Sequence, residues 1–152
     1  MKKGNNATIV VLALMLMSNA YSQQKMNTEM TNKEAVLTFL NGFNDPSKIG
    51  TSLDLLVEDY KFTNPMVSLN SKAEFISLAQ EIGQVLTGVD VLRVAEGDNW
   101  VTVMYNFKSA IPGVENNLAT EWFKVKDGKI IESTLLYDAS EWRKVYAAME
   151  KN

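Results

Sequence analysis

The sequence predicts an α+β fold in one domain. Three observations predict it. Apolar stripes at helical spacing fill residues 32–86 and return only after residue 138. Segments at strand spacing cluster in residues 89–137. No internal repeat, low-complexity run or shift in composition divides the chain. Segregated helices and strands argue α+β, whereas a parallel α/β sheet would alternate them.

Each element follows from a local pattern. From Asn32, the residues Ala35, Val36, Phe39, Leu40 and Phe43 recur at three- and four-residue steps and make one apolar stripe. Thr31 or Asn32 can cap this helix, Glu34 suits its first turn, and Asn44-Asp45-Pro46 stops it. A short second helix is expected over 47–57, then a strand over 58–63 with Tyr60 and Phe62 on one side. Asn64-Pro65 breaks that strand. Ser71-Lys72-Ala73-Glu74 matches a capping box and opens a long third helix with the stripe Phe75, Leu78, Ala79, Ile82, Val85 and Leu86, stopped by Gly88.

Strands are expected next over 89–95, 100–109, 117–126 and 129–137. The second of these is apolar on both faces and reads as central. Asp127-Gly128 is a strong hairpin signal. Asp138-Ala139-Ser140-Glu141 is an Asp-first capping pattern that begins a last helix with Trp142, Val145, Tyr146 and Met149. A curved, mostly antiparallel sheet could wrap the third helix, and the mouth of that cone would be a natural ligand pocket.

The N-terminus carries an address. Lys2 and Lys3 precede an eleven-residue run from Ala7 to Met17, followed by a polar break with small residues at Ala20 and Ser22. This is the layout of a secretory signal peptide at 1–22, cleaved near Ser22-Gln23. A bilayer span takes roughly 20 apolar residues, so no stable membrane anchor is expected after cleavage. Residues 23–30 read as a flexible lead-in, and 31–152 as the domain. The expected location is periplasmic or secreted.

Composition narrows the chemistry. Two of the fifteen Lys and Arg and none of the eighteen Asp and Glu fall in 1–22, which leaves thirteen against eighteen and a charge of −5. That balance disfavours nucleic acid and anionic lipid. With no Cys, an exported chain has no disulfides and must rely on its core. With no His, there is no His-based nucleophile system and no His/Cys zinc site. No Asp-rich loop has the spacing for a hard cation, so neither metal nor cofactor is expected. Acid–base chemistry near neutrality would need a perturbed carboxylate, Lys or Tyr.

Four pieces of the chain resemble the SnoaL-like branch of the nuclear transport factor 2-like superfamily. They are the helix ending in Phe43-Asn44-Asp45-Pro46, the run Tyr60-Lys61-Phe62-Thr63-Asn64-Pro65 with the Ser71 helix start after it, the hairpin from Glu121 through Trp122, Asp127 and Gly128 to Ile130, and Leu136-Tyr137-Asp138. The resemblance implies a cone-shaped α+β barrel of the nuclear transport factor 2-like (cystatin-like) type, an apolar cavity and frequently a homodimer. One such fold hosts isomerases, cyclases, dehydratases, hydrolases, binding proteins and association modules.

Asn64 stands where isomerase-type members tend to carry an Asp before Pro, and an amide cannot move a proton. It reads either as a turn residue or as an amide that orients a ligand. Asp138 matches the acid–base Asp of the cyclases, yet it also sits where a helix cap belongs. Burial would raise its pKa and capping would lower it, so the two roles predict opposite shifts. Glu121, Glu132 and Thr134 are the other polar groups within strands. Regular alternation would place Glu132 and Thr134 with Asp138 on one face of the last strand, either toward the cavity or away from it, and a bulge would shift the register. Phe39, Phe43, Tyr60, Phe62, Phe75, Tyr105, Trp122 and Tyr137 suit either ordinary core or a cavity for a flat apolar ligand.

Three functions follow as expectations. The first is binding of a small, mostly apolar molecule in the cone, without catalysis. The second is a cofactor-independent cyclase, isomerase or dehydratase with Asp138 as general acid/base and Tyr105 or Tyr137 as oxyanion donor. The third is a homodimeric association module.

Overall fold

The computed structural model describes residues 30–149. The expected signal peptide and nearly all of the lead-in lie outside the described residues. The elements are α1 (Asn32–Asn41), a 3-10 turn (Gly42–Asn44), α2 (Ile49–Leu53), β1 (Leu56–Thr63), β2 (Ser68–Leu69), α3 (Lys72–Ile82), β3 (Leu86–Gly97), β4 (Trp100–Ser109), β5 (Asn116–Lys126), β6 (Lys129–Tyr137) and α4 (Ser140–Met149). No helix among the described residues is long and apolar enough to cross a membrane.

The six strands form one curved sheet in the order β2-β1-β6-β5-β4-β3. All neighbours are antiparallel except β1 and β6, which run parallel. The sheet stays open, with β2 and β3 at its edges, so the cone is not a closed barrel. The two-residue Asp127-Gly128 turn joins β5 to β6 with φ values of 51° and 70°, the positive pair that a tight hairpin turn requires.

The helix held in the curve is α1, not the third helix that the periodicity favours. Thr31 and Glu34 make a reciprocal capping box at its start. Its stripe (Ala35, Val36, Phe39, Leu40) is fully buried and packs against β3 to β6. By contrast, α3 buries only Phe75 and Ala79 and lies against β1. It ends at Ile82 with Gly83 as its cap, well before Gly88. Val85 and Leu86 match the helical stripe, but the sheet takes them: Ala110 N–H donates to the Val85 carbonyl at 2.8 Å and Leu86 pairs with Ser109. Gly88 instead sits at an irregularity in β3, where Asn44 bonds both backbone groups of Val89. Likewise α2 is shorter than 47–57, because Leu56 and Val57 begin β1. β4 is an interior strand, yet it alternates rather than burying both faces, with Val101, Val103, Tyr105 and Phe107 inward and Met104 exposed outward.

Gly42 marks a close approach. A Cβ there would overlap Oγ and Cβ of Ser52, which is buried and donates to the Thr38 carbonyl. Gly42→Ala should therefore cost about 1–3 kcal/mol by overpacking. Urea unfolding reads it, and an unchanged midpoint would contradict the packing described.

Candidate functional site

Three strands aim side chains into the concave face. β4 contributes Tyr105 and Phe107, β5 contributes Ala119, Glu121 and Phe123, and β6 contributes Ser133, Leu135 and Tyr137. The phase of β6 depends on an extra residue. Val125 pairs with Ile130 and Lys124 with Glu132, so Ile131 is bulged out of the ladder. Ile130 and Ser133 can then both face inward, which strict alternation forbids.

Between this face, α1, α3 and α4 lies a cavity of about 360 Å³. Its wall is mostly aromatic and aliphatic. Phe39, Phe43, Phe62 and Phe75 line it, as do Asn64, Tyr105 and Tyr137. The rings meet edge-on or tilted, for example Phe62 with Phe75 at 5.1 Å and Phe107 with Tyr137 at 5.4 Å. α4 closes one side by Trp142, whose indole N–H donates to Asn117 at 2.9 Å.

The polar centre of the cavity is Glu121, 3 % exposed. Tyr105 O–H donates to its Oε2 at 2.7 Å, and Ser133 O–H donates to its Oε1 at 2.6 Å. Ser133 has one proton and it is committed to Glu121, so Tyr60 donates to Ser133 Oγ at 2.6 Å. Two hydroxyls thus bond the carboxylate directly, and a third stands behind one of them. Burial pushes its pKa up to about 7, while the donated hydrogen bonds of Ser133 and Tyr105 act the other way. Burial, then the Glu121 charge, pushes both Tyr60 and Tyr105 well above the ordinary phenol value. Such a carboxyl can take or give a proton near neutrality, or accept a hydrogen bond from a bound molecule.

The expected residues divide into three groups. Phe39, Phe43, Phe62, Phe75, Tyr105 and Tyr137 are brought together on the cavity wall. Asn64 also reaches it, but its Oδ1 accepts from the amides of Met66 and Val67 at 2.8 and 2.9 Å, which is turn closure. Tyr60 does not line the cavity; it is fully buried behind Ser133. Trp122, Glu132 and Thr134 face away from it. Trp122 is 47 % exposed and shares a hollow on the outer face with Trp100 and Thr134, while Glu132 stands in register with Lys61 and Lys124. The Ile131 bulge turns Ser133 inward and Glu132 and Thr134 outward, while plain alternation along β5 sends Trp122 outward between the inward Glu121 and Phe123.

Asp138 is likewise corrected. It is exposed, it does not line the cavity, and its Oδ1 accepts from Ser140 N–H at 2.9 Å at the start of α4. Hydrogen bonds from Ser140 hold its pKa below the usual carboxylate value, the shift expected of a cap rather than of an acid–base catalyst. Asp138→Asn keeps a capping side chain and should leave ligand binding in the cavity unchanged, as measured by titration calorimetry.

Glu121 and Ser133 received no role from the sequence. A signal for Glu121 was present: Ala119, Glu121, Phe123 and Val125 share one face of β5, and a carboxylate on an apolar face is the cue. Ser133 had no such signal, because only the bulge turns it inward. Among the described residues no group of three or more Asp and Glu is placed to hold a metal ion.

No protein-family model matches the chain, and no curated protein matches it in sequence. Solved structures do. An NTF2-like protein of unknown function from Cytophaga hutchinsonii is 18 % identical, with a TM-score of 0.66 over 78 % of this chain and 99 % of that one. An LEH-like epoxide hydrolase of M. tuberculosis is 18 % identical, with a TM-score of 0.62 over 80 % and 96 %. A de novo designed protein with a curved β-sheet is 17 % identical, with a TM-score of 0.63 over 83 % and 98 %. The chain has the nuclear transport factor 2-like fold.

Proposed function

We propose that this chain binds a small, mostly apolar molecule in the cavity, with Glu121 meeting the molecule's polar group. The observation that carries the reading is a cavity of about 360 Å³, walled by aromatics, around one buried carboxylate. An apolar pocket with a few convergent polar groups is the usual form of a small-molecule site. Native mass spectrometry of protein purified gently from an expressing bacterium tests it. A co-purifying small molecule that is lost on denaturation supports the reading, and a cavity empty under all conditions, with no uptake of apolar probes, would sink it.

A second reading is favoured by the position of the Glu121 pKa at about 7 and by the Tyr105 hydroxyl beside it. In it Glu121, rather than Asp138, moves a proton in a cofactor-independent reaction of the isomerase, cyclase or dehydratase type. Once a ligand is identified, turnover that survives Asp138→Asn and is lost in Glu121→Gln is the expected pattern.

Export through residues 1–22 and assembly as a homodimer remain part of this proposal. The exposed Leu118, Trp122 and Leu136 on the outer face of the sheet support a second copy there. Light scattering on the purified chain separates monomer from dimer.

A further inference from the structure

The binding reading can be taken one step further, to the chemical class of the ligand. We propose that the cavity is built for a protonated amine carried on an apolar body, with the ammonium N–H groups on Glu121 and the body among the rings. This inference rests on the small-molecule reading above.

Three observations carry it. The first is the charge of the wall. Among the residues that line the cavity, the groups able to carry charge near neutrality are two carboxyls, Glu121 on β5 at the floor and Glu81 on α3 at the exposed rim. β4, β6 and α4 add only the phenols of Tyr105, Tyr137 and Tyr146, and α1, β1 and β3 add no ionisable group. No Lys or Arg lines the cavity. Arg143 on α4 is close enough to act on Tyr137, but its guanidinium donates to the Pro65 carbonyl. An anionic ligand would therefore face carboxylates with no counter-charge in a medium of low dielectric.

The second observation is the wall's material. Nine of the twenty lining residues are aromatic, which favours a cation over an anion because ring faces carry negative potential. The third is hydrogen-bond supply. Tyr105 and Ser133 already donate to Glu121, one to each oxygen, and Tyr60 donates to Ser133. Each carboxylate oxygen keeps a second lone pair. The floor thus offers a ligand acceptors, and its complement is a donor with positive charge.

Three probes with one cage test the class: adamantan-1-amine, adamantan-1-ol and adamantane-1-carboxylate, each titrated calorimetrically into the protein. At about pH 8.5 both Glu121, at about 7, and an alkylamine, near the lysine value of about 10.4, are charged. The amine is expected to bind at least about tenfold more tightly than the alcohol, and the carboxylate not at all. At about pH 5.5 the amine must displace the Glu121 proton, so its affinity should fall by about 30-fold while that of the alcohol stays level. Glu121→Gln should bring amine and alcohol together; if that variant fails to fold, the pH series on the unmodified protein gives the same reading. Equal binding of all three probes would overturn the amine class and leave the small-molecule reading standing. Binding of none would overturn both.

Discussion

The unmodified protein is expected to lose stability as pH rises from about 5 to about 8, and Glu121→Gln is expected to remove most of that loss. The folded pKa of Glu121 is raised to about 7 from an ordinary 4.5. Between those values the folded state holds a proton that the unfolded state has released, so stability falls with rising pH across that window and is level above it. At about 1.36 kcal/mol per pKa unit, the distance from 4.5 to about 7 corresponds to about 3 kcal/mol. That is a large part of the roughly 5–15 kcal/mol typical of a domain. Glu34, Asp45 and Asp138 have lowered values and act in the opposite sense, losing their stabilising contribution only as pH falls below the ordinary carboxylate range. Urea unfolding at the two pH values is the measurement. A flat profile in the unmodified chain, or the same slope in Glu121→Gln, would show that Glu121 is not the buried group described.

Phe39→Ala is expected to cost about 3–5 kcal/mol, near the limit of what a domain of this size tolerates. Phe39 is 2 % exposed and lies where α1 meets the sheet. Its ring packs against Phe43, Phe75 and Phe123 at 5.5 to 6.0 Å, so it ties the central helix to α3, β5 and the cavity wall at once. Truncation would open a void between elements that cannot close independently. Thermal unfolding reads the effect, and a loss under about 1 kcal/mol would mean that the helix is held by other contacts.

Much of this fold was legible in the sequence because local signals and tertiary demands agree in many places. The Thr31 and Ser71 caps, the Asp127-Gly128 turn and the stripe of α1 each ask for what the sheet also asks for. The misreadings lie where they disagree. Val85 and Leu86 continue a helical stripe, but an unpaired β4 edge offers them backbone partners, and the ladder prevails over periodicity. Short β2 carries too few residues to show a period at all. At the site, the aromatic wall was readable because rings on an apolar face have few other places to go. Glu132 and Thr134 were misplaced because alternation counts residues and cannot count one that leaves the ladder, whereas regular alternation along β5 already sets Trp122 on the face opposite to Glu121 and Phe123. Asp138 was readable in both of its roles, and the exposed backbone amide of Ser140 decides between them.

The bulged residue in β6 has a bearing on how such a pocket changes over evolution. Deleting Ile131 would close the bulge and leave Val125 opposite Ile130, Lys124 opposite Glu132 and Phe123 opposite Ser133, so every downstream side chain would keep its face. Drawing Ile131 into the ladder instead, with the strand's length unchanged, would turn the rest of the strand over. Ser133 and Leu135 would then leave the interior, and Glu132, Thr134 and Leu136 would enter it. Glu121 would lose the hydroxyl on its Oε1 and gain a glutamate and a threonine for company. The strand can thus lose a codon without changing the cavity, whereas a slip of one residue would rewrite the cavity's recognition chemistry without touching a hairpin, a helix or the order of the sheet.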